Sequence, residues 1–217
     1  MILPQLVYDR KTKWMYFFIG GAATLILYQW TNRFYWTEPR LLKFDAVDSV
    51  MPFWTWSVWV YFTEYIFFIV AYFGLRSGEN ITRYFYAYMA ILLVSIAVFV
   101  VFPVTFPRGD YPVIGNSISD QALIFLRTYM DSPANCLPSL HVSSCYISAL
   151  CFWRESRKKT WLFLLWSTLV AISTMTTKQH YFIDVWTAML LTGLFFWIFF
   201  FRTQFRKGSG SAAGAKP

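Results

Sequence analysis

Long apolar runs alternate along this chain with short polar stretches. A helix rising about 1.5 Å per residue needs roughly 20 mostly apolar residues to cross a bilayer. Six segments qualify, approximately 14–31, 52–75, 84–106, 136–153, 160–178 and 180–202. A very short turn around Lys178 and Gln179 separates the last two, which predicts a tight antiparallel pair. No internal repeat is evident. The pattern predicts an all-α fold: a six-transmembrane-helix bundle in one domain over residues 1–207, with the segment from Gly208 read as a flexible linker left by protein expression.

The longest loop on the outer side covers about residues 107–135. Its stretch near Ser117–Met130 is amphipathic. Ala122, Leu123, Phe125, Leu126 and Tyr129 fall on one side, with Asp120, Gln121 and Arg127 on the other. This predicts a helical outer loop lying on the membrane surface, polar face to water.

Composition strengthens the membrane reading. The chain is 57% hydrophobic and 22% aromatic with only 14% charged residues, more than a soluble domain of its 217 residues needs. The net charge of +8 does not form a nucleic-acid face, because the cations fall in clusters between apolar runs. If the amino terminus is cytoplasmic, Arg10, Lys11, Lys13, Arg76, Arg83, Arg154, Arg157, Lys158, Lys159, Arg202, Arg206 and Lys207 lie inside. Arg33, Arg40, Lys43, Arg108, Arg127 and Lys178 then lie outside, so the division is twelve to six and places both termini in the cytoplasm. The first apolar stretch lacks a small-residue cleavage site and is expected to stay as a transmembrane helix.

The chain has only two histidines, each in a polar motif at the edge of an apolar segment, and the charge count puts both on the extracytoplasmic side. His180 opens His180-Tyr181-Phe182-Ile183-Asp184. On a helix starting there, Asp184 would lie one turn below it, able to hold one ring nitrogen and leave the other as a nucleophile. His141 closes Pro138-Ser139-Leu140-His141, where a proline-started helix and the Ser139 hydroxyl would offer an anion site and His141 a proton. Each histidine alone reads as an interfacial residue satisfied by backbone groups; the pair points to phosphate or acyl chemistry. Arg108 and Lys178 are candidate phosphate cations, each equally readable as an interfacial anchor. Glu64, inside the second segment, reads as a structural hydrogen-bonding carboxylate rather than a catalytic one. Cys136, Cys145 and Cys151 have no metal-ligand spacing and form no disulfide framework, and Cys136 reads as packed rather than reactive.

Cys136-Leu137-Pro138-Ser139-Leu140-His141-Val142, followed by Thr177-Lys178-Gln179-His180-Tyr181-Phe182-Ile183-Asp184-Val185, resembles the type-2 phosphatidic acid phosphatase superfamily. The similarity extends over about residues 14–202, toward the branch with bacterial lipid phosphatases and inositol phosphorylceramide synthases. The resemblance implies that His180 attacks phosphorus with Asp184 as its partner. It also implies that His141 protonates the leaving group and Ser139 helps hold phosphate oxygens, without metal or organic cofactor. Two positions depart from the family pattern. Val101 stands where a lysine is usual, with Gly109 rather than proline after Arg108. Thr174 follows Ser173 where the family has Ser-Arg, and Lys178 is the candidate for the missing charge.

These readings converge on an extracytoplasmic lipid phosphatase acting on a lipid phosphate or diphosphate. A headgroup phosphotransferase, passing the phosphoryl group to an alcohol, uses the same residues. A non-catalytic transporter or scaffold is the third reading, and paired histidines are not needed for it.

Overall fold

A computed structural model describes residues 1–131 and 134–206; the expected linker at 208–217 lies outside the described residues. Helices dominate. The long ones are α1 (Arg10–Thr31), α3 (Val58–Gly74), α4 (Gly78–Val101), α6 (Leu140–Leu150), α7 (Arg157–Thr176) and α8 (Phe182–Trp197). Two short helices, α2 (Ala46–Val50) and α5 (Ile118–Phe125), lie in the connections. Each of the six expected segments overlaps one long helix. Among the described residues, three helical stretches, Thr55–Gly74, Gly78–Val101 and Phe182–Arg202, are long and apolar enough to cross a membrane. The fourth expected segment is shorter than read: the 11 residues of α6 rise only about 17 Å.

Burial explains that shortness. α6 packs against α3, α4, α7 and α8, and little of it is exposed. It carries Ser143, Ser144 and Ser148 because its neighbours, rather than lipid, meet them. The Ser148 hydroxyl lies 2.8 Å from that of Tyr84, and Ser143 Oγ donates to the Ser139 carbonyl at 3.0 Å. The outer helices instead show apolar side chains: Phe18 and Ile26 on α1, Ile66 on α3, Leu165 on α7 and Leu190 on α8 are all more than half exposed. An apolar surface of this extent fits a membrane protein and would be an aggregation hazard in water.

Residues near the two ends of the described chain meet. Strand β1 (Ile2–Pro4) runs parallel to the last strand (Gln204–Arg206), and the Met1 amine donates to the Arg202 carbonyl at 3.2 Å. Arg83 donates to the Phe199 and Thr203 carbonyls, satisfying groups at the end of α8. This end of the bundle is opposite the two histidines, since Arg202 and His180 flank the same helix.

The outer loop departs from expectation in its orientation. α5 and the π-turn after it (Leu126–Met130) bury Leu123 and Leu126 against Val58 and Tyr61 instead of laying them on a membrane. Arg127 turns inward and donates to the Tyr111 and Thr177 carbonyls, both at 2.9 Å. Side-chain packing on α3 therefore fixes this loop across the histidine end of the bundle.

Candidate active site

His180 does not open a helix. It sits in the turn between α7 and α8, where Tyr181 is the extended N-cap and Asp184 the third helical residue. The Thr174 carbonyl accepts from the His180 backbone N–H at 3.3 Å, so the position where the family pattern has arginine anchors the histidine's main chain. The Asp184 carboxylate lies 3.2 Å from His180 Nδ1 and accepts from the Tyr181 N–H at 2.9 Å. The sequence paired these residues through helical spacing; the structure pairs them through a capping geometry. Asp48, a buried residue of α2, completes that helix start by accepting from the Phe182 N–H at 2.7 Å. Both His180 and Asp184 are buried, and His180 Nε2 has no hydrogen-bond partner among the described residues.

His141 lies in the first turn of α6, one residue after Leu140. Pro138 falls outside that helix, ahead of its N-cap Ser139, rather than in the first turn as the sequence suggested. The Ser139 hydroxyl accepts from the Val142 N–H at 3.3 Å and its own N–H donates to the Asp184 carbonyl at 3.1 Å. Ser139 thus ties the two histidine motifs together and caps α6.

The His141 and His180 rings are 5.7 Å apart between centroids. His141 Nδ1 lies 2.7 Å from Glu64 Oε1. Its Nε2 faces the Tyr28 hydroxyl at 3.5 Å and Asp131 Oδ1 at 3.6 Å. With acceptors at both nitrogens, this is the environment of a ring that donates twice, the imidazolium form. Glu64 Oε2 has no partner among the described residues.

Asp131 was not singled out from the sequence, yet it organises this end of the site. It accepts from Tyr28 at 2.6 Å and Tyr61 at 3.2 Å, and Arg108 forks onto its carbonyl at 2.7 Å and its carboxylate at 3.1 Å. Burial works against the Asp131 charge, but the Arg108 guanidinium and the His141 hydrogen bond hold its carboxyl well below the usual carboxylate range. Arg108 Nε remains without a partner among the described residues. A lone aspartate in an irregular loop carries no periodic or motif signal; Glu64, by contrast, had one in being a carboxylate within an apolar run.

Of the six residues expected from sequence, the structure gathers His180, Asp184, His141 and Arg108. Ser139 is adjacent in its capping role. Lys178 is directed elsewhere: its Nζ donates to the Met51 carbonyl at 2.6 Å and lies over the Tyr111 ring at 4.7 Å. Its backbone is left-handed, with φ of 56°, as the tight turn requires. Val101, at the other departure, is exposed and supplies no substitute cation.

Folding also creates a grouping invisible in sequence spacing. Ligand atoms of Cys136, His180 and Asp184 lie within 4.8 Å of one another, a donor set able to hold a metal ion. In the arrangement described, Asp184 Oδ2 accepts from the Tyr181 N–H and faces His180.

A family profile described as the PAP2 superfamily matches residues 40–198. The chain belongs to the PAP2 superfamily. Comparisons with curated proteins and with solved structures returned no match. The matched span begins within the α1–α3 connection and ends beside the last helix, so it includes every site residue named above except Tyr28. Membership in the PAP2 superfamily points to a phosphatase-type lipid enzyme in a membrane.

Proposed function

We propose that this PAP2-superfamily chain is a lipid phosphatase that hydrolyses a lipid phosphate or diphosphate through a phosphohistidine. One observation carries the reading: a buried histidine held through Nδ1 by a buried carboxylate, its Nε2 unpartnered, beside a second histidine. With the proton on Nδ1 directed at Asp184, the lone pair of His180 Nε2 is available to phosphorus. As the N–P bond forms, the bond from phosphorus to the lipid-side oxygen breaks, and the His141 Nε2 proton goes to that oxygen. Water then attacks the phosphohistidine, His141 takes its proton, and the P–N bond breaks to release inorganic phosphate. Arg108 offers charge to the phosphoryl oxygens through its unpartnered N–H, while Glu64 orients His141 and supports its cationic form.

The twelve-to-six division of cations supports six membrane crossings with both termini cytoplasmic and the histidines extracytoplasmic. The meeting of residues 2–4 with 204–206, opposite the histidines, agrees with an even number of crossings. Purified in detergent, the wild type should release phosphate from lipid phosphates and His180→Ala should not. Release by His180→Ala at the wild-type rate would sink the mechanism.

Phosphotransfer to a lipid alcohol is the second reading. It is favoured by Glu64, whose free carboxylate oxygen belongs to a residue lining an apolar cavity rather than an aqueous face. Supplying an alcohol acceptor and finding labelled lipid in place of free phosphate would select it.

A further inference from the structure

α1 and α3 are clamped at one end and apart at the other. Near the clamp, the Trp14 and Phe73 rings are 4.5 Å apart between centroids, Tyr72 donates to the Lys13 carbonyl at 2.8 Å, and Lys13 Nζ donates to the Leu75 carbonyl at 2.7 Å. From there a cavity of about 350 Å³ opens between α1, α3, α4 and α6, with walls that are overwhelmingly apolar. Tyr16, Phe17 and Tyr72 line it toward the clamp, and Tyr28, Glu64 and His141 line it toward the histidines. Its wall follows α1 from Tyr16 to Gln29, about 20 Å at roughly 1.5 Å per residue.

We propose that this cavity is a binding groove for the hydrocarbon chain attached to the oxygen that leaves phosphorus. The assignment rests on the phosphatase reading, in which His141 protonates that oxygen. A chain bonded there starts beside His141, and the cavity is the apolar space that starts beside His141.

The groove acts through position more than through affinity. A lipid tail taken from the bilayer was already in hydrocarbon, so enclosing it removes little apolar surface from water. Seating the chain along α1 instead fixes where its first carbon lies, and with it the phosphorus before His180. Gly20 and Gly21 keep the α1 wall thin. A Cβ at Gly21 would meet nothing within 4 Å, and Gly21 lines the cavity, so a larger side chain has room there beside the groove.

Two measurements test this. For Gly21→Phe, the ratio of turnover on a long-chain alkyl phosphate to that on water-soluble para-nitrophenyl phosphate should fall by about 10²-fold, the cost of a displaced reacting group. An unchanged ratio in Gly21→Phe overturns the groove. Independently of turnover, a long-chain alkyl phosphate with a terminal diazirine should crosslink His180→Ala protein at Phe17 or Tyr72, and not in Gly21→Phe. Crosslinks confined to the outward faces of α7 and α8 overturn the groove. If no protein releases phosphate yet crosslinks map to Phe17 or Tyr72, the groove stands and the phosphatase reading falls.

Discussion

Glu64 and His141 form the closest side-chain contact between α3 and the histidine pair, with Oε1 and Nδ1 2.7 Å apart. Their positions are 77 apart in sequence. The contact turns the carboxylate from an isolated charge in an apolar helix into the group that orients His141, the general acid of the proposed mechanism. It also makes Glu64 the member of the site whose role is easiest to isolate by mutation.

Glu64→Gln preserves volume but removes the charge opposing His141. By analogy with a carboxylate that orients a catalytic imidazole, turnover should fall by about 10²- to 10⁴-fold. Phosphate release measured alongside thermal unfolding checks this; near-wild-type release from a folded variant would return Glu64 to a structural role.

Asp184→Asn leaves a group that still accepts the Tyr181 N–H but no longer stabilises charge on His180. Labelled lipid phosphate should still mark the protein, with labelling slowed by about 10²-fold or more. Labelling at the wild-type rate would show that Asp184 serves the helix start alone.

Asp131→Asn tests the hub beneath His141. The folded Asp131 carboxyl is held below its ordinary value, so its contribution is present above that value, about 3.9, and is lost as pH falls below it toward the folded pKa. The unfolding midpoint of the wild type in detergent should therefore fall progressively as pH drops below about 4. Asp131→Asn should be less stable at neutral pH, by about 3–5 kcal/mol, and show a shallower acid slope. Parallel pH curves for the two proteins would contradict this.

Arg108→Lys keeps the charge and loses the fork onto Asp131. Two charge-assisted hydrogen bonds are replaced by a point charge, at a cost of roughly 1.5–3 kcal/mol for each bond lost. Weaker substrate affinity should accompany the lost stability, because in the proposed mechanism the guanidinium also serves the phosphoryl group. A variant with altered stability and unchanged KM would confine Arg108 to Asp131.

Lys178→Met should leave KM for a lipid phosphate unchanged, since the ammonium is committed to the Met51 carbonyl. A large rise in KM would restore Lys178 to the phosphate cage.

Much of the site was legible because its signals are local. His180 and Asp184 are four residues apart, and Ser139 and His141 share one helix start, so a reader of the chain meets each pair together. Asp131 and Tyr28 escaped notice because their chemistry depends on partners 103 positions apart in sequence, joined only when α1 and the outer loop meet over α6. The direction of Lys178 was hidden for the same reason. Sequence put a cation two residues from the histidine, while a left-handed backbone turned it toward Met51.

The sequence by itself determined the helical, membrane-type character of this protein and the histidine motifs, because apolar run length and short-range motifs are properties of neighbouring residues. Tertiary structure alone decided that α6 would be short and central, that α5 would pack on α3, that Glu64 and Asp131 would bracket His141, and that a cavity would begin at that ring. Those outcomes depend on which helices exclude one another's space and which buried charges find partners, and both are settled between residues far apart in the chain.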